Sequence, residues 1–317
     1  MEKNNANKFA ITLIACMLST SAMAADNLIY IDQVGSSSDI TINQSGSANT
    51  VGGTSGAASS NNRASVTGTD QTLTVTQTGD NNVLKLKMQD VTTTTGSTTY
   101  SAIGDNNTSI VDTVSTGPGN TINQTIYGDS NTTNVNLRGN SGANSITTSI
   151  GTANVDSNSN TVNQAASGTL NSQTVTITGG NSNAVTVLQG KGSSLTNDIT
   201  VPSTSGNLLG LNSATFGSGS TSDKATANVS ITGGSNTVSI GQVQGDATGN
   251  SATVSIIGST NGVSIAQQGL GHSTSSLTIT GGTNTLNVQQ NATSGNTNTA
   301  TMSVTGSSNL VNIQQSF

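Results

Sequence analysis

Aromatic residues, charges and cross-linking residues are all scarce in this chain of 317 residues. It has no Trp, three Phe and three Tyr, one Cys and two Pro, and only 7% of its residues are charged. Apolar residues reach 31%, whereas a globular domain averages roughly 45–50% apolar and 25% charged. These shortages exclude a large aromatic-rich core and a helical bundle. Scarce charge also argues against the strongly charged kind of disordered chain, and the lack of a basic stripe argues against nucleic-acid binding. What fills the chain is Asn, Ser, Thr, Gly and Gln, with Val, Ile and Leu at regular intervals. Such residues are mediocre to poor helix formers, and the β-branched ones suit a pleated surface. The composition predicts a repetitive all-β structure.

The first segment reads as an address. Lys3 and Lys8 flank the apolar run from Phe9 to Leu18, and Ala22-Met23-Ala24 follows. This is the layout of a secretory signal peptide cleaved after Ala24, so residues 1–24 are expected to leave and 25–317 to form the exported protein. The run is shorter than the about 20 apolar residues a membrane helix needs, and no later segment comes close, so no membrane span is expected. The only cysteine lies here. Leu13-Ile14-Ala15-Cys16 resembles a bacterial lipobox, which makes lipidation at Cys16 the rival to ordinary cleavage; the flanks favour cleavage. The exported chain then has neither disulfides nor thiolate chemistry. Loss of Glu2, Lys3 and Lys8 takes the totals of 8 basic and 14 acidic residues to 6 and 13, a net charge near −7. All the remaining acids are Asp, a turn residue.

Self-similarity is the strongest signal. Val229, Ile231, Gly233, Asn236, Val238, Ile240 and Gln242 are matched at near-constant offsets by Val254, Ile256, Gly258, Asn261, Val263, Ile265 and Gln267. Two further copies run from Leu277 to Gln290 and from Met302 to Gln315. Each copy alternates apolar and polar residues on either side of a Gly-x-x-Asn, the pattern of two half-buried strands joined by a tight reversal. A two-strand unit cannot bury its apolar face alone. Parallel stacking of successive units, about 4.8 Å apart, builds two facing sheets over a thin aliphatic core. The fold expected is a parallel β-solenoid of strand-turn-strand rungs.

The amides fit that expectation. At equal offsets in stacked rungs, Asn and Gln side chains can bond to the same residue above and below. Asn-x5-Gln recurs at Asn183/Gln189, Asn236/Gln242, Asn261/Gln267, Asn284/Gln290 and Asn309/Gln315. These residues, together with Gln33, Gln44 and Gln77, are the candidate ladder; turn-capping by Asn is the alternative reading. Gly35, Gly46, Gly79, Gly233, Gly258, Gly281 and Gly306 are the candidate turn glycines. Regular rungs are expected over 25–51, 71–89, 120–138, 172–190 and 225–317. Gly52–Asp70, Asp90–Gly119, Gly139–Gly168 and Lys191–Lys224 read as irregular stretches within one array.

Near the N-terminus, Ser38-x5-Gln44-x-Gly46-x-x-Asn49 and Gln77-x-Gly79-x-x-Asn82 closely resemble the curlin repeat of bacterial curli fibre subunits. The match departs at Ser55 and Met88, where the second Gln is missing, and from residue 225 onward Ile or Val replaces the first Gln. The resemblance implies an extracellular amyloid subunit that polymerises with itself, with a nucleator subunit and outer-membrane export machinery as partners, in a biofilm matrix that adheres to surfaces. The residues themselves leave two other classes open. Thr-x-Thr runs such as Thr72-Leu-Thr74-Val-Thr76 suit a monomeric surface binder, for instance of ice, although Ile257 interrupts the pattern. A passive adhesin or a spacer in a surface appendage or phage fibre is the third.

Chemistry is poorly provided for. His272, the one histidine, lies between glycines and serines with no evident orienting partner, which disfavours a Ser-His-Asp site. Zinc lacks ligands. The Gly-Asp pairs at 79–80, 104–105 and 128–129 lack the repeat of calcium-binding β-rolls and read as plain turns. No enzyme, cofactor or metal site is expected.

Overall fold

The computed structural model describes residues 27–29, 32–34, 39–52, 64–68, 71–90, 96–115, 120–190, 224–242 and 249–316; residues 1–24 and Gly35 lie outside these. Every regular element among them is a strand. The strands form a 10-stranded sheet and a 13-stranded sheet. The chain alternates between the two. Thr226–Thr232 in the first sheet, for example, pairs in parallel with Ser172–Ile177 on one side and Ser251–Ile257 on the other. After a turn, Thr237–Gln242 in the second sheet pairs in parallel with Ala184–Gln189 and Gly262–Gly269. The result is the parallel β-solenoid that the repeat predicts.

Alternation along each strand decides which side chains meet. In Gln71–Thr78, residues 71, 73, 75 and 77 are buried and the threonines between them are not. The buried sets from both sheets form one continuous apolar core that runs the length of the array, from Val51 to Val304. Its columns are in register. Ile150, Ile177, Ile231, Ile256, Ile279 and Val304 follow one another on consecutive strands of the first sheet. Val185, Val238, Val263, Leu286 and Val311 do the same in the second. Short branched side chains suit two sheets about 10 Å apart, which is how so few aromatics suffice.

Two stretches expected to be irregular hold full repeats. Within Asp90–Gly119, Gly96–Ile103 and Thr108–Ser115 pair in register with neighbours on both sides. Within Gly139–Gly168, so do Ser145–Ile150 and the strand Thr161–Thr169. Both had been masked by local chemistry. Tyr100 and Ala102 occupy inward positions held by Val75 and Gln77 one rung earlier. In the other stretch, Gly151–Ser159 makes a longer turn closed by a Thr152–Val155 bridge, which spoils the spacing. Within Gly52–Asp70, the described strand Ala64–Thr67 continues the row begun by Thr50–Val51 against Val83–Asp90. Lys191–Lys224 lies outside the described residues except for Lys224.

These middle rungs have a partly polar interior. Gln124 lies in register with Tyr100 and accepts a hydrogen bond from Ser109, and Thr148 donates to Gln164. Tyr100 is fully buried and its hydroxyl has no partner. Burial alone pushes its phenol well above the ordinary value. In the unfolded chain a tyrosine ionises near pH 10, so the neutral ring favours the fold below that pH, and this contribution is lost as pH rises beyond it. Tyr100→Phe should therefore flatten the loss of stability above about pH 10 while leaving neutral-pH stability equal or higher, because an unpaired buried hydroxyl disappears. Urea midpoints measured from pH 7 to 11 check both halves of that expectation.

Candidate functional site: two amide ladders and an open hydroxyl face

The turn sets the position of the first ladder. In each regular turn a glycine with positive φ is followed two residues later by a second left-handed residue and then by the ladder asparagine. In the turn of residues 258–261, Gly258 has φ +128°, Thr260 has φ +62°, and Asn261 is buried. A non-glycine β-branched residue at positive φ is rare, so the stacked turns over-determine its conformation. Gly233, Gly258, Gly281 and Gly306 lie above one another, and a Cβ on Gly258 would come 2.1 Å from the Gly281 carbonyl oxygen. Gly46 and Gly79 belong to the same column, and Gly104 and Gly128 extend it.

Asparagine after asparagine then stacks along the array. Each Oδ1 accepts the backbone N–H of the asparagine one rung later, from Asn27, whose Oδ1 is 2.9 Å from Asn49 N, to Asn284, which is 3.0 Å from Asn309 N. The side-chain amide adds a second bond from Asn107 onward. Asn107 has every hydrogen-bonding position filled: Nδ2 donates to Asn82 Oδ1 (3.1 Å) and to the Gly128 carbonyl (2.7 Å), and Oδ1 accepts from N and Nδ2 of Asn131 (3.0 and 3.1 Å). Asn183, Asn236, Asn261 and Asn284 repeat the arrangement. Asn309 donates to Asn284 at 2.8 Å. The turn and ladder readings of Asn are therefore one arrangement, since the residue that ends the turn also joins the rungs.

The glutamines form a second ladder in a different column. Gln189, Gln242, Gln267 and Gln290 each donate from Nε2 to Oε1 of the next, at 2.8, 2.8, 2.9 and 2.7 Å, ending on Gln315. Each Nε2 also donates across the core to a carbonyl at the start of a strand in the first sheet, as Gln242 does to Thr226 at 3.1 Å. The ladder starts at Gln189, whose Oε1 has no partner because Ala166 precedes it in register.

Gln44 and Gln77 do not join a ladder. They are register neighbours, but both amide atoms of Gln44 and the Oε1 of Gln77 lack partners, and the column continues with Ala102 and Ile126. Two glutamines bounded by aliphatics have nothing with which to propagate. Gln33 pairs at backbone level with Val66 in the second sheet.

Two features escaped the sequence reading. Asn49, Asn82, Asn107, Asn131 and Asn160 belong to the first ladder, although none of them has a glutamine six residues on. A further asparagine column stands where the first-sheet strands begin: Asn144 Nδ2 donates to Asn120 Oδ1 at 3.1 Å, and Asn171 N to Asn144 Oδ1 at 2.8 Å. Asn250 accepts from Ser273 N at 3.0 Å in the same role. The available signal was an Asn six residues before an inward Ile or Val, as at Asn144/Ile150, Asn171/Ile177 and Asn250/Ile256.

The outer face of the 10-stranded sheet is equally regular. One column reads Thr41, Thr74, Thr99, Asn123, Thr147, Thr174, Asn228, Thr253, Ser276, Thr301. The flanking columns, headed by Asp39 and Asn43, contain only Ser and Thr after their first member, and none of these residues is buried. The fourth column, where Ile103, Tyr127 and Ile257 interrupt the threonines, borders this lattice without breaking it. The other sheet differs. Thr186, Leu188, Ser239, Ala266 and Gln289 point outward by alternation and are nevertheless buried.

Chemical groups elsewhere are engaged in structure. Asp80, Asp105 and Asp129 stack along the turns, each accepting a backbone N–H from the rung before (2.6, 2.7 and 2.7 Å). The Ser47 N–H holds the Asp80 carboxyl below its ordinary range. His272 donates from Nδ1 to the Gly249 carbonyl, and its Nε2 lies 3.0 Å from the Thr274 hydroxyl. Among the described residues no three His, Cys, Asp or Glu side chains are grouped to hold a metal ion, and no helix is long and apolar enough to cross a membrane. No family model, curated protein or solved structure matches the chain.

Two paired substitutions test the turn and the ladder. Gly258→Ala should destabilise by about 1–3 kcal/mol, whereas Gly262→Ala, where a Cβ meets nothing within 4 Å, should be neutral or stabilise by about 0.4–1 kcal/mol; denaturant midpoints distinguish them. Asn236→Ala leaves the N–H of Asn261 without its acceptor and should cost about 1–3 kcal/mol for each orphaned buried group. Asn309→Ala should cost less, since no described residue bonds to its Oδ1. Hydrogen exchange at the Asn261 amide should accelerate in the first variant only.

Proposed function

We propose that this protein is a secreted structural subunit that self-assembles into curli-like extracellular amyloid fibres, serving as biofilm matrix and surface adhesive. The observation that carries this reading is that each rung is joined to the next by the same devices: parallel backbone pairing, a continuous apolar core and, from Gln189 onward, two amide ladders. A rung that bonds in this way to a near-copy of itself can bond equally to a rung of another chain with the same repeat. Low charge and the parallel pairing of every strand support the same conclusion.

On this reading the main partner is the chain itself. A nucleator subunit and outer-membrane export machinery follow from the resemblance of Ser38–Asn49 to the curlin repeat, and export across the inner membrane follows from residues 1–24. The role is structural rather than catalytic.

Purified protein lacking residues 1–24 should form fibres unaided at micromolar concentration, bind thioflavin T, and give a meridional diffraction spacing near 4.8 Å. Gln290→Ala with Gln315→Ala should slow elongation more than Ser303→Ala with Thr305→Ala, because the glutamines lie on the inward face and the other pair on the exposed one. A chain that remains monomeric for days overturns the proposal; one that also slows ice growth supports a monomeric surface binder instead.

A further inference from the structure

The open face of the 10-stranded sheet has a use that axial stacking leaves unassigned. A periodic surface of weak polar groups gains nothing from recognising a small ligand, because one or two rows would suffice. It gains from a partner with the same repeat, where many weak contacts are made together. A second copy of this chain is certain to have that repeat. We propose that two copies pair laterally through this face, hydroxyl lattice against hydroxyl lattice.

Four observations favour the second copy over a foreign surface. First, the face is almost uncharged: in its three central columns Asp39, on the first strand, is the one ionisable residue. Like faces of a chain with net charge −6 could not meet if they shared its sign elsewhere. Second, Ser and Thr hydroxyls each donate and accept, so a face built of them is complementary to itself, as a two-fold symmetric contact requires. Third, the area is sufficient. Ten strands about 4.8 Å apart, and a width of about 20 Å, give roughly 900 Å², against about 800 Å² per partner in a stable complex. Fourth, the bordering column adds exposed apolar groups, Ile103 at 39% and Ile257 at 56% exposure, with the methyl groups of the threonines beside them. Short side chains allow the two faces to interdigitate as a dry polar zipper. The other sheet is unsuited to this, since its outward residues along Ala184–Gln290 are already largely buried.

The pairing builds on the fibre reading for its setting but is tested independently of it. Purified protein is compared with Thr147→Lys/Thr174→Lys/Thr253→Lys, which places cations in the centre of the face, and with Thr161→Lys/Thr237→Lys/Thr285→Lys on the outward side of the other sheet. Mass per unit length from electron microscopy should fall about twofold in the first variant and remain unchanged in the second, with elongation rates alike. If the triple variant loses its β-sheet circular dichroism, Thr174→Arg alone is measured in its place. If no fibres form, the axial proposal fails and sedimentation decides the lateral one: a dimer converted to monomer by the face variant sustains it. Equal mass per length in all three proteins overturns it, as does a single-width fibre or monomer whose face binds ice or an insoluble polysaccharide.

Discussion

A primary amide has two N–H donors and an oxygen that accepts twice, and a buried one must have those positions met or it destabilises the fold. In this protein the requirement is met by repetition. Asn107 is satisfied above, below and across because Asn82, Asn131 and the Gly128 carbonyl each stand one rung away or within the adjoining turn. No single rung can satisfy its own asparagine. The parallel register, the tight glycine turn and the equal spacing of rungs are all conditions for that arrangement. The thin aliphatic core follows the same geometry instead of dictating it.

Division of labour between the two sheets follows from this. In the second sheet a ladder asparagine precedes every strand except Asp32–Gln33 and Ala64–Thr67, and in the later rungs the ladder glutamine ends the inward row, so the pairing is enforced by side chains as well as backbone. In the first sheet the inward row ends in Ile or Val across most of its length. Middle rungs depart from both patterns. Tyr100, Gln124, Thr148 and Gln164 bring polar atoms inside, and the Tyr100 hydroxyl and Gln124 Nε2 find no partner. The array is therefore uneven in stability along its axis, most uniform where Asn, Gln and Ile columns run together from residue 225 onward.

Much of this was legible in the sequence. The Gly-x-x-Asn spacing and the two-residue alternation over 229–315 define strand, turn, strand and the inward set. Less legible were the rungs at 96–115 and 145–168, because a ladder asparagine alone, without its glutamine, is a weak signal among so many asparagines. Parity in one strand says which residues point outward, but it cannot reveal that Thr41, Thr74 and Thr99 lie side by side; register supplies that. Neither does the Gln44–Gln77 repeat in the sequence reveal that a column of two ends before it begins, since that depends on Ala102 standing next.

The two ladders run in opposite senses. Asparagine amides donate toward the beginning of the chain, as Asn261 Nδ2 does to Asn236 Oδ1, and glutamine amides donate toward its end, as Gln242 Nε2 does to Gln267 Oε1. A single file of aligned amides would accumulate an electric dipole with every rung, as a helix does. Two opposed files cancel. Where both are present, from Gln189 onward, the array can lengthen without building a field at its ends, and each added rung meets the same local electrostatics as the one before.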